Sequence, residues 1–333
     1  MLPRCIVATS IVPRNIELQQ SAISSWQSLG FELISINSPT ETNLIRQYFP
    51  SVEFISVHRT AEQSTGRPYV YFDDVCMALA ESGADICGII NSDIHLYPAV
   101  KFKDFISREA EESFLFGSRI DVKTPENRDG EIYFYGFDFF FFNKSLLACY
   151  PSSEFCLGAP WWDYWAPMVP LIQGIQCKEI ISPLAYHLWH ETKWAPDLFN
   201  HFGDALLNAL QKRSKTVNLN SGLESVLSDV IGSRDFNIFS FKILQYILGN
   251  ARQIVLDTDC ANDNRVNIGL CQFESMRRFM IDRKSDCLIA EKEIETLKAA
   301  VSEGNKRLEN IKKSFSWRLT APLRKMLDAL GIN

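Results

Sequence analysis

No two cysteines of the sequence form a Cys-x-x-Cys pair. The 9 cysteines are an odd number and lie far apart. That argues against a disulfide framework or a cysteine-rich zinc site, and for a reducing compartment. Long apolar runs are missing too. No stretch reaches the roughly 18 uninterrupted apolar residues that a membrane span requires. The run near the N-terminus, between Arg4 and Arg14, is too short for a signal peptide. The expected compartment is the cytoplasm. Basic charge is not in excess either. The 34 Lys and Arg stand against 40 Asp and Glu, a net charge of −6. The basic footprint of a nucleic-acid binder is therefore absent, and no nucleic-acid partner is expected. No internal repeat is visible.

What is present is an ordinary globular balance, with 46% apolar and 22% charged residues. That composition excludes a disordered chain. The 333 residues leave room for about two domains. Residues 1–212 alternate strand and helix signals. "CIVATSI" reads as a first strand ending near Pro13, and "NIELQQSAISSWQSLG" as a helix stopped by Gly30. "FELISIN" is a second strand, "NLIRQYF" a short helix and "VEFISVH" a third strand. "YVYFDDVCMALAESG" is a helix stopped by Gly83, and "DICGIIN" a fourth strand. This order predicts an α/β fold: a mostly parallel, Rossmann-like sheet flanked by helices. "SFLFGSRI" and "IYFYGFDFFFFNKSLL" read as two further strands, and "CKEIISPLAYHLWHETKW" as a last strand with a His-rich turn.

Beyond residue 212 the character changes. Residues 213–265 read as a linker with short helices. Residues 266–333 read as an α-helical C-terminal region, with an interrupted seven-residue apolar pattern from Met280 to Phe315. This is a short coiled coil, offering a homo-oligomer contact, or a helix packed on its own domain. Its end carries Arg318, Arg324 and Lys325 among Trp317, Leu319 and Leu323, a basic amphipathic segment suited to peripheral membrane contact. Packing of that segment on the catalytic domain is the alternative.

Five stretches carry residue types that do chemistry. In open parallel sheets, ligands bind beyond the carboxyl ends of the strands. Asn91-Ser92-Asp93 sits at such an end. Its oxygen-bearing side chains can meet a hard divalent cation with phosphate oxygens beside it. The alternative is a plain Asx turn. Arg67, just before a helix, can meet a phosphate, or simply be solvated beside the Gly66–Pro68 turn. Asp73 and Asp74 suit the first turn of that helix on dipole grounds alone. Asp163 lies among Trp161, Trp162 and Trp165. Apolar surroundings raise a carboxyl pKa toward that of a general base, and aromatic faces suit sugar rings. An N-cap Asp with core tryptophans is the alternative. His187 and His190 are spaced to reach one site from a helical turn, as metal or phosphate ligands. Asp138 can orient an acceptor hydroxyl or stand at a strand edge.

The order of these pieces resembles nucleotide-sugar-dependent glycosyltransferases of the GT-A fold. The matching parts are "CIVATSIVPRN", "SWQSLGFELISIN", "ALAESGADICGIINSDI", the "WWDYW" acid and a later His, within residues 3–212. The tail "SFSWRLTAPLRKML" resembles the end of bacterial cell-surface polysaccharide glycosyltransferases. The resemblance implies a nucleotide-sugar donor, a saccharide or lipid-linked acceptor, and a divalent cation, Mn2+ or Mg2+. It implies that Thr9, Arg67, Asn91, Ser92 and Asp93 face the donor, with Asp93 on the metal. Asn91 stands where the family's motif has Asp. Asp163 would be the base of an inverting transfer, and His187 or His190 would complete the metal or diphosphate site. Asp138, Trp161 and Trp162 would face the acceptor. Two other classes stay open: a non-catalytic nucleotide-sugar-binding scaffold, and a metal-dependent hydrolase.

Overall fold

The computed structural model describes residues 3–97, 101–124, 130–133, 135–189, 196–214 and 221–256, with a few isolated positions beyond. The chain divides into two compact units, residues 1–277 and 278–333. The coiled-coil pattern and basic tail expected in 266–333 fall almost wholly outside the described residues. Among the described residues, no helix is long and apolar enough to cross a membrane.

The first half follows the expected alternation. Strand β1 (Cys5–Thr9) leads to helix α1 (Ile16–Ser28), β2 (Glu32–Asn37), α2 (Pro39–Ile45) and β3 (Glu53–Ser56). Short α3 (Glu62–Thr65) and α4 (Phe72–Glu81) precede β4 (Ile86–Ile90). Gly30 and Gly83, just past α1 and α4, have φ of 79° and 76°, so each closes its helix in the left-handed region as expected. α1 buries Ala22, Ile23 and Trp26 against the sheet, and the Trp26 indole donates to the carbonyl of Ile94 at 2.7 Å.

After β4 come β5 (Ile94–Leu96), α5 (Phe102–Glu109), β6 (Ser113–Gly117), β7 (Arg119–Val122), β8 (Gly130–Tyr133) and β9 (Phe139–Asn143). Then follow α6 (Trp162–Ile172), β10 (Gln176–Ile180), β11 (Ala185–Leu188), α7 (Pro196–Ser214), α8 (Ser221–Ser233), α9 (Phe236–Asn250) and β12 (Arg252–Ile254). The main sheet has the order β12-β10-β6-β9-β4-β1-β2-β3. All its pairings are parallel except those of β9 with β4 and β6. A second sheet has the order β5-β11-β7-β8. The fold is therefore the expected α/β arrangement, a large mostly parallel sheet flanked by helices, with further helices toward the C-terminus.

Three stretches read as single strands are each two. "SFLFGSRI" breaks at Ser118 into β6 and β7, and "IYFYGFDFFFFNKSLL" holds β8 and β9 in different sheets. "CKEIISPLAYHLW" likewise supplies β10 to one sheet and β11 to the other. Each polypeptide run crosses between sheets, and apolar content is continuous across the break. Periodicity therefore carries no mark of it. Segment 213–265 supplies two helices of 13 and 15 residues and also an edge strand, β12, for the main sheet.

The four consecutive phenylalanines of β9 are fully buried because the strand is central and covered on both faces. Side chains alternate along it. Phe141 meets Phe31 and Phe102 on one face, while Phe140 and Phe142 meet Phe114 and Trp162 on the other. Gly88 of β4 lies opposite Phe141. A Cβ there would stand 2.8 Å from both the Phe141 ring and Val7 Cγ2, so the core needs glycine at this point. Gly88→Ala should lower the unfolding free energy by about 1–3 kcal/mol through overpacking. Combining it with Phe141→Leu should recover part of that loss, as read from urea midpoints.

Candidate active site

The carboxyl ends of β1 and β4 open onto one cleft of about 960 Å³. Thr9, Arg67, Asn91, Ser92, Asp93, Asp138, Trp161, Trp162, Asp163 and His187 all line it. His190 lies outside the described residues. Thus residues far apart in the chain, read separately from the sequence, meet at one place.

The second sheet builds the corner where Asp93, Asp121 and His187 meet. In β7 the side chains alternate, with Ile120 and Val122 buried and Arg119 and Asp121 partly buried on the other face. The parallel β7–β11 register sets His187 beside Asp121, and the antiparallel β5–β11 register sets it beside Ile94, next to Asp93. His187 Nδ1 is 2.8 Å from Asp121 Oδ1, and its Nε2 is 3.5 Å from Asp93 Oδ2. His187 therefore sits on a strand and not on the expected helical turn. Burial alone would lower its pKa. The hydrogen bonds to Asp121 and Asp93 outweigh burial and raise it to about 9.

A carboxylate on the far nitrogen of a histidine is the arrangement that fixes metal-bound imidazoles. Two ligands at right angles on a small divalent cation stand ~3 Å apart, close to the Asp93–His187 separation. Among the described residues, no group of three or more His, Cys, Asp and Glu comes together to cage a cation. With the proton that Asp121 and Asp93 hold on His187 displaced, the pair fits a cation whose remaining ligands come from substrate phosphates and water, a usual mode for Mg2+.

Arg119 was not singled out from the sequence, yet it joins the two sheets. Its Nε donates to Asp121 Oδ1 at 2.8 Å and its Nη1 to Asp138 Oδ1 at 2.9 Å. Its guanidinium lies 4.1 Å from the centre of the Tyr133 ring. Burial works against its charge, but the two carboxylates hold its pKa above the ordinary value. Asn91 Nδ2 donates to the same Asp138 oxygen at 2.9 Å. Asn91 thus serves Asp138. Gln19, also missed, is buried and ties the β1–α1 loop to the turn. Its Oε1 accepts from Val12 N and Ser92 Oγ, both at 2.9 Å, and its Nε2 donates to the carbonyls of Val12 and Arg14. Arg14 and Glu41 line the cleft as well. A lone arginine in a loop and a glutamate in a capping box carry no such signal in sequence. Asp74 pairs with Arg59 at 3.1 Å, and Asp73 accepts from Ser152 and Ser153, so both acids are structural.

Asp163 stands in the first turn of α6, and Trp161 is the N-cap residue. Trp161 has φ of 74°, an uncommon conformation for a bulky residue that costs on the order of 1–3 kcal/mol. Packing holds it there. Its ring meets Phe199, Phe236 and Phe239, and its indole donates to the Phe199 carbonyl at 2.8 Å. Trp162 likewise packs on Phe72 and Phe140. Both residues line the cleft yet are only 2–3% exposed, so little of either ring is free to stack on a sugar. Asp163 Oδ2 accepts from Phe137 N at 3.2 Å, and a Cβ on Gly136 would collide with that oxygen. Burial first, then the charge of Asp138, raises Asp163 from 3.8 to about 7.

No family model matches the chain, and no curated protein does. Several solved structures are similar. The mannosyltransferase PcManGT from Pyrobaculum calidifontis, solved with GDP-Man and Mn2+, is 12% identical with a TM-score of 0.44, over 86% of this chain and 88% of its own. S. aureus TarS 1–349 is 9% identical with a TM-score of 0.37, over 85% and 91%. The 4-diphosphocytidyl-2C-methyl-D-erythritol synthase from Anaerococcus prevotii is 10% identical with a TM-score of 0.35, over 58% and 93%. At these identities and TM-scores, what the cleft does has to follow from its own residues.

The raised Asp163 carboxyl has a stability signature. The folded state binds its proton more tightly than the unfolded state does. Its contribution is therefore full below pH ~4, the unfolded carboxyl range. It is lost as the pH rises through about 7. Urea unfolding of the wild type and Asp163→Asn between pH 5 and 8 should show the wild type losing stability relative to the variant as pH rises. A difference that stays flat would remove the raised value.

Proposed function

We propose that the chain is a glycosyltransferase. It moves a sugar from a nucleoside-diphosphate donor to an acceptor hydroxyl of a saccharide or lipid-linked substrate, with inversion. The observation that supports this most is the meeting, in one cleft, of the Asp93–His187 pair and a carboxyl group tuned to about 7. A phosphate-binding corner and a base in one cleft are the two halves of such a transfer. The cleft is also built for a polar ligand. Thr9 and Asp138 both line it, and among the described residues Thr9 Oγ1 and Asp138 Oδ2 are buried without a hydrogen-bond partner, a state that native proteins rarely leave unanswered.

Asp93 and His187 would hold a divalent cation, Mn2+ or Mg2+, together with the donor's diphosphate. Bound there, the cation supplies positive charge against the charge that develops on the leaving diphosphate. Arg67, on the same cleft, adds a further positive group for the phosphates. Asp163, as the carboxylate, takes the proton of the acceptor hydroxyl. The acceptor oxygen forms its bond to the anomeric carbon from the opposite face. The bond from that carbon to the diphosphate oxygen breaks, and its electron pair leaves with the nucleoside diphosphate. The chain's contribution is position and a preorganised field. Gly136 and the Phe137 amide fix the base, and Asp121 fixes the imidazole.

A thermal-shift panel of UDP-, GDP- and dTDP-sugars, with and without Mn2+, tests this reading. One donor class should stabilise the wild type in a metal-dependent way, by about 2.7 kcal/mol at a hundredfold excess over Kd. Asp93→Ala should lose that effect. No shift with any donor would overturn the transferase reading, and a shift without turnover would turn it to the nucleotide-sugar-binding scaffold. With the donor identified, Asp163→Asn should keep donor binding and lose about 10²–10⁴-fold in kcat. The wild-type kcat/KM should fall on the acid side with an apparent pKa near the value of about 7 given by burial.

A further inference from the structure

We propose that one face of α9 holds a neutral sugar unit of the acceptor, next to the unit whose hydroxyl is glycosylated. This rests on the transferase reading above. Asn237, Ser240, Phe241 and Leu244 all line the cleft that contains Asp163. Their spacing of i, i+3, i+4 and i+7 sets them in one stripe along the helix. A different stripe anchors the helix. Phe236 and Phe239 are buried and meet the Trp161 ring at 6.4 and 5.3 Å between centroids. The cleft stripe is not used up by packing in this way. Phe241 is half-buried and has no aromatic ring partner among the described residues. Asn237 is exposed, and its side-chain amide has no hydrogen-bond partner among them.

The chemistry of the stripe is that of a carbohydrate subsite. A sugar ring presents hydroxyls around its edge and C–H groups on its faces. The Asn237 amide both donates and accepts. The Ser240 hydroxyl donates to the Asn237 carbonyl at 2.8 Å, which leaves its oxygen to accept. Phe241 adds an apolar surface beside them. None of the α9 residues described on the cleft is charged. Lys242 is bound to Asp229 at 2.8 Å, and Asp235 caps the helix by accepting from Asn237 N and Ile238 N. An acceptor phosphate or carboxylate would find no cation on this face. An alkyl chain would cover the amide and the hydroxyl without pairing them, at a cost. A neutral sugar answers all three side chains.

The place of the stripe relative to the base decides which sugar it meets. Asp163 is in the first turn of α6, and Trp161 is the N-cap residue of that helix. The Trp161 ring touches α9 through Phe236 and Phe239, and the turn itself through Tyr164 at 5.6 Å. α9 therefore stands one large side chain away from the base. The hydroxyl that Asp163 deprotonates has to lie within hydrogen-bond reach of it. A ligand that meets Asp163 and the α9 stripe together has to be longer than one ring, so α9 addresses a second unit. Asp93 and His187 belong to the turn before β5 and to β11. Changes on α9 leave that corner in place.

Acceptor kinetics test this, read as release of nucleoside diphosphate from the sugar nucleotide found by thermal shift. The probes are methyl glycosides of glucose, galactose, mannose and N-acetylglucosamine, the neutral di- and trisaccharides built from them, methyl glucuronide and octyl glucoside. The wild type should prefer a disaccharide over the matching monosaccharide. Phe241→Ala should raise KM for that disaccharide roughly 10- to 100-fold, and Asn237→Ala about 2- to 10-fold. KM for the monosaccharide, donor affinity and donor hydrolysis should stay within about threefold of the wild type. Ile238→Ala, at a position of α9 that is 39% exposed and not on the cleft, should change none of these. Asn237 is exposed, so its variant carries the test should Phe241→Ala fail to fold. Equal losses on mono- and disaccharide, or no loss in either variant, would overturn the inference and leave the transferase reading standing. So would a preference for octyl glucoside or the glucuronide that Phe241→Ala removes, or hydrolysis of the donor with no neutral glycoside accepted. If no sugar nucleotide binds the wild type, both fall.

Discussion

Everything in the cleft hangs on the antiparallel insertion of β9 between β4 and β6. In register, Ile90 pairs with Phe139 and Gly117 with Phe139 from the other side. That leaves Asp138 one residue beyond the pairing, bonded through its backbone to Asn91 and to Gly117. A slip of one residue would turn every phenylalanine of β9 to the wrong face. It would also draw the carboxylate away from the end of β4. The four buried rings are therefore what places Asp138, and the core's glycines, Gly88 and Gly117, leave the room those rings occupy.

The electrostatics follow from this register and that of the second sheet. Asp93, His187, Asp121, Arg119, Asp138 and Asn91 form a continuous chain of contacts in which each acid meets a donor. Buried charges persist only when paired in this way. Arg119 is the joint, with 14% of its side chain exposed and two carboxylates on it. Asp163 is set apart from the chain. It meets backbone N–H groups and burial, with no cation within bonding distance among its described partners, and so its carboxyl is pushed up toward neutrality. Two carboxyl groups in one cleft with opposed environments can take different roles.

One of the four described non-glycine residues with positive φ stands beside that base. Trp161 holds its positive φ because α7 and α9 close over its ring, with Gly203 allowing the approach and Phe236 and Phe239 filling it. Helices after residue 195 thus take part in setting the start of α6. They also line the cleft through Asn237, Ser240 and Phe241. The sequence reading treated residues 213–265, which hold α8 and α9, as a linker with short helices, because short helices with mixed faces give no sign of what they cover.

By itself the sequence determined the local elements and where reactive groups stand along them. Strands β1 to β4 and their helices are written in apolar periodicity and in glycines that stop helices. Asn91–Asp93 at a strand end and Asp163 among tryptophans are legible because a polar residue breaks an apolar run. The tertiary structure alone decided which of these groups meet. Asn91 and Asp138 are 47 residues apart, and Asp121 and His187 are 66 apart. Their contacts depend on sheet register, which local periodicity does not specify. Arg119 and Asp121 read as ordinary polar positions of a short strand, and only pairing with β11 gives them a purpose. Trp161 and Trp162 read equally as sugar-facing rings or as core, and only the tertiary packing, Phe199, Phe236 and Phe239 on Trp161 and Phe72 and Phe140 on Trp162, shows how deeply they are buried. Long-range contact, not residue type, turned a set of strand-end polar residues into one site.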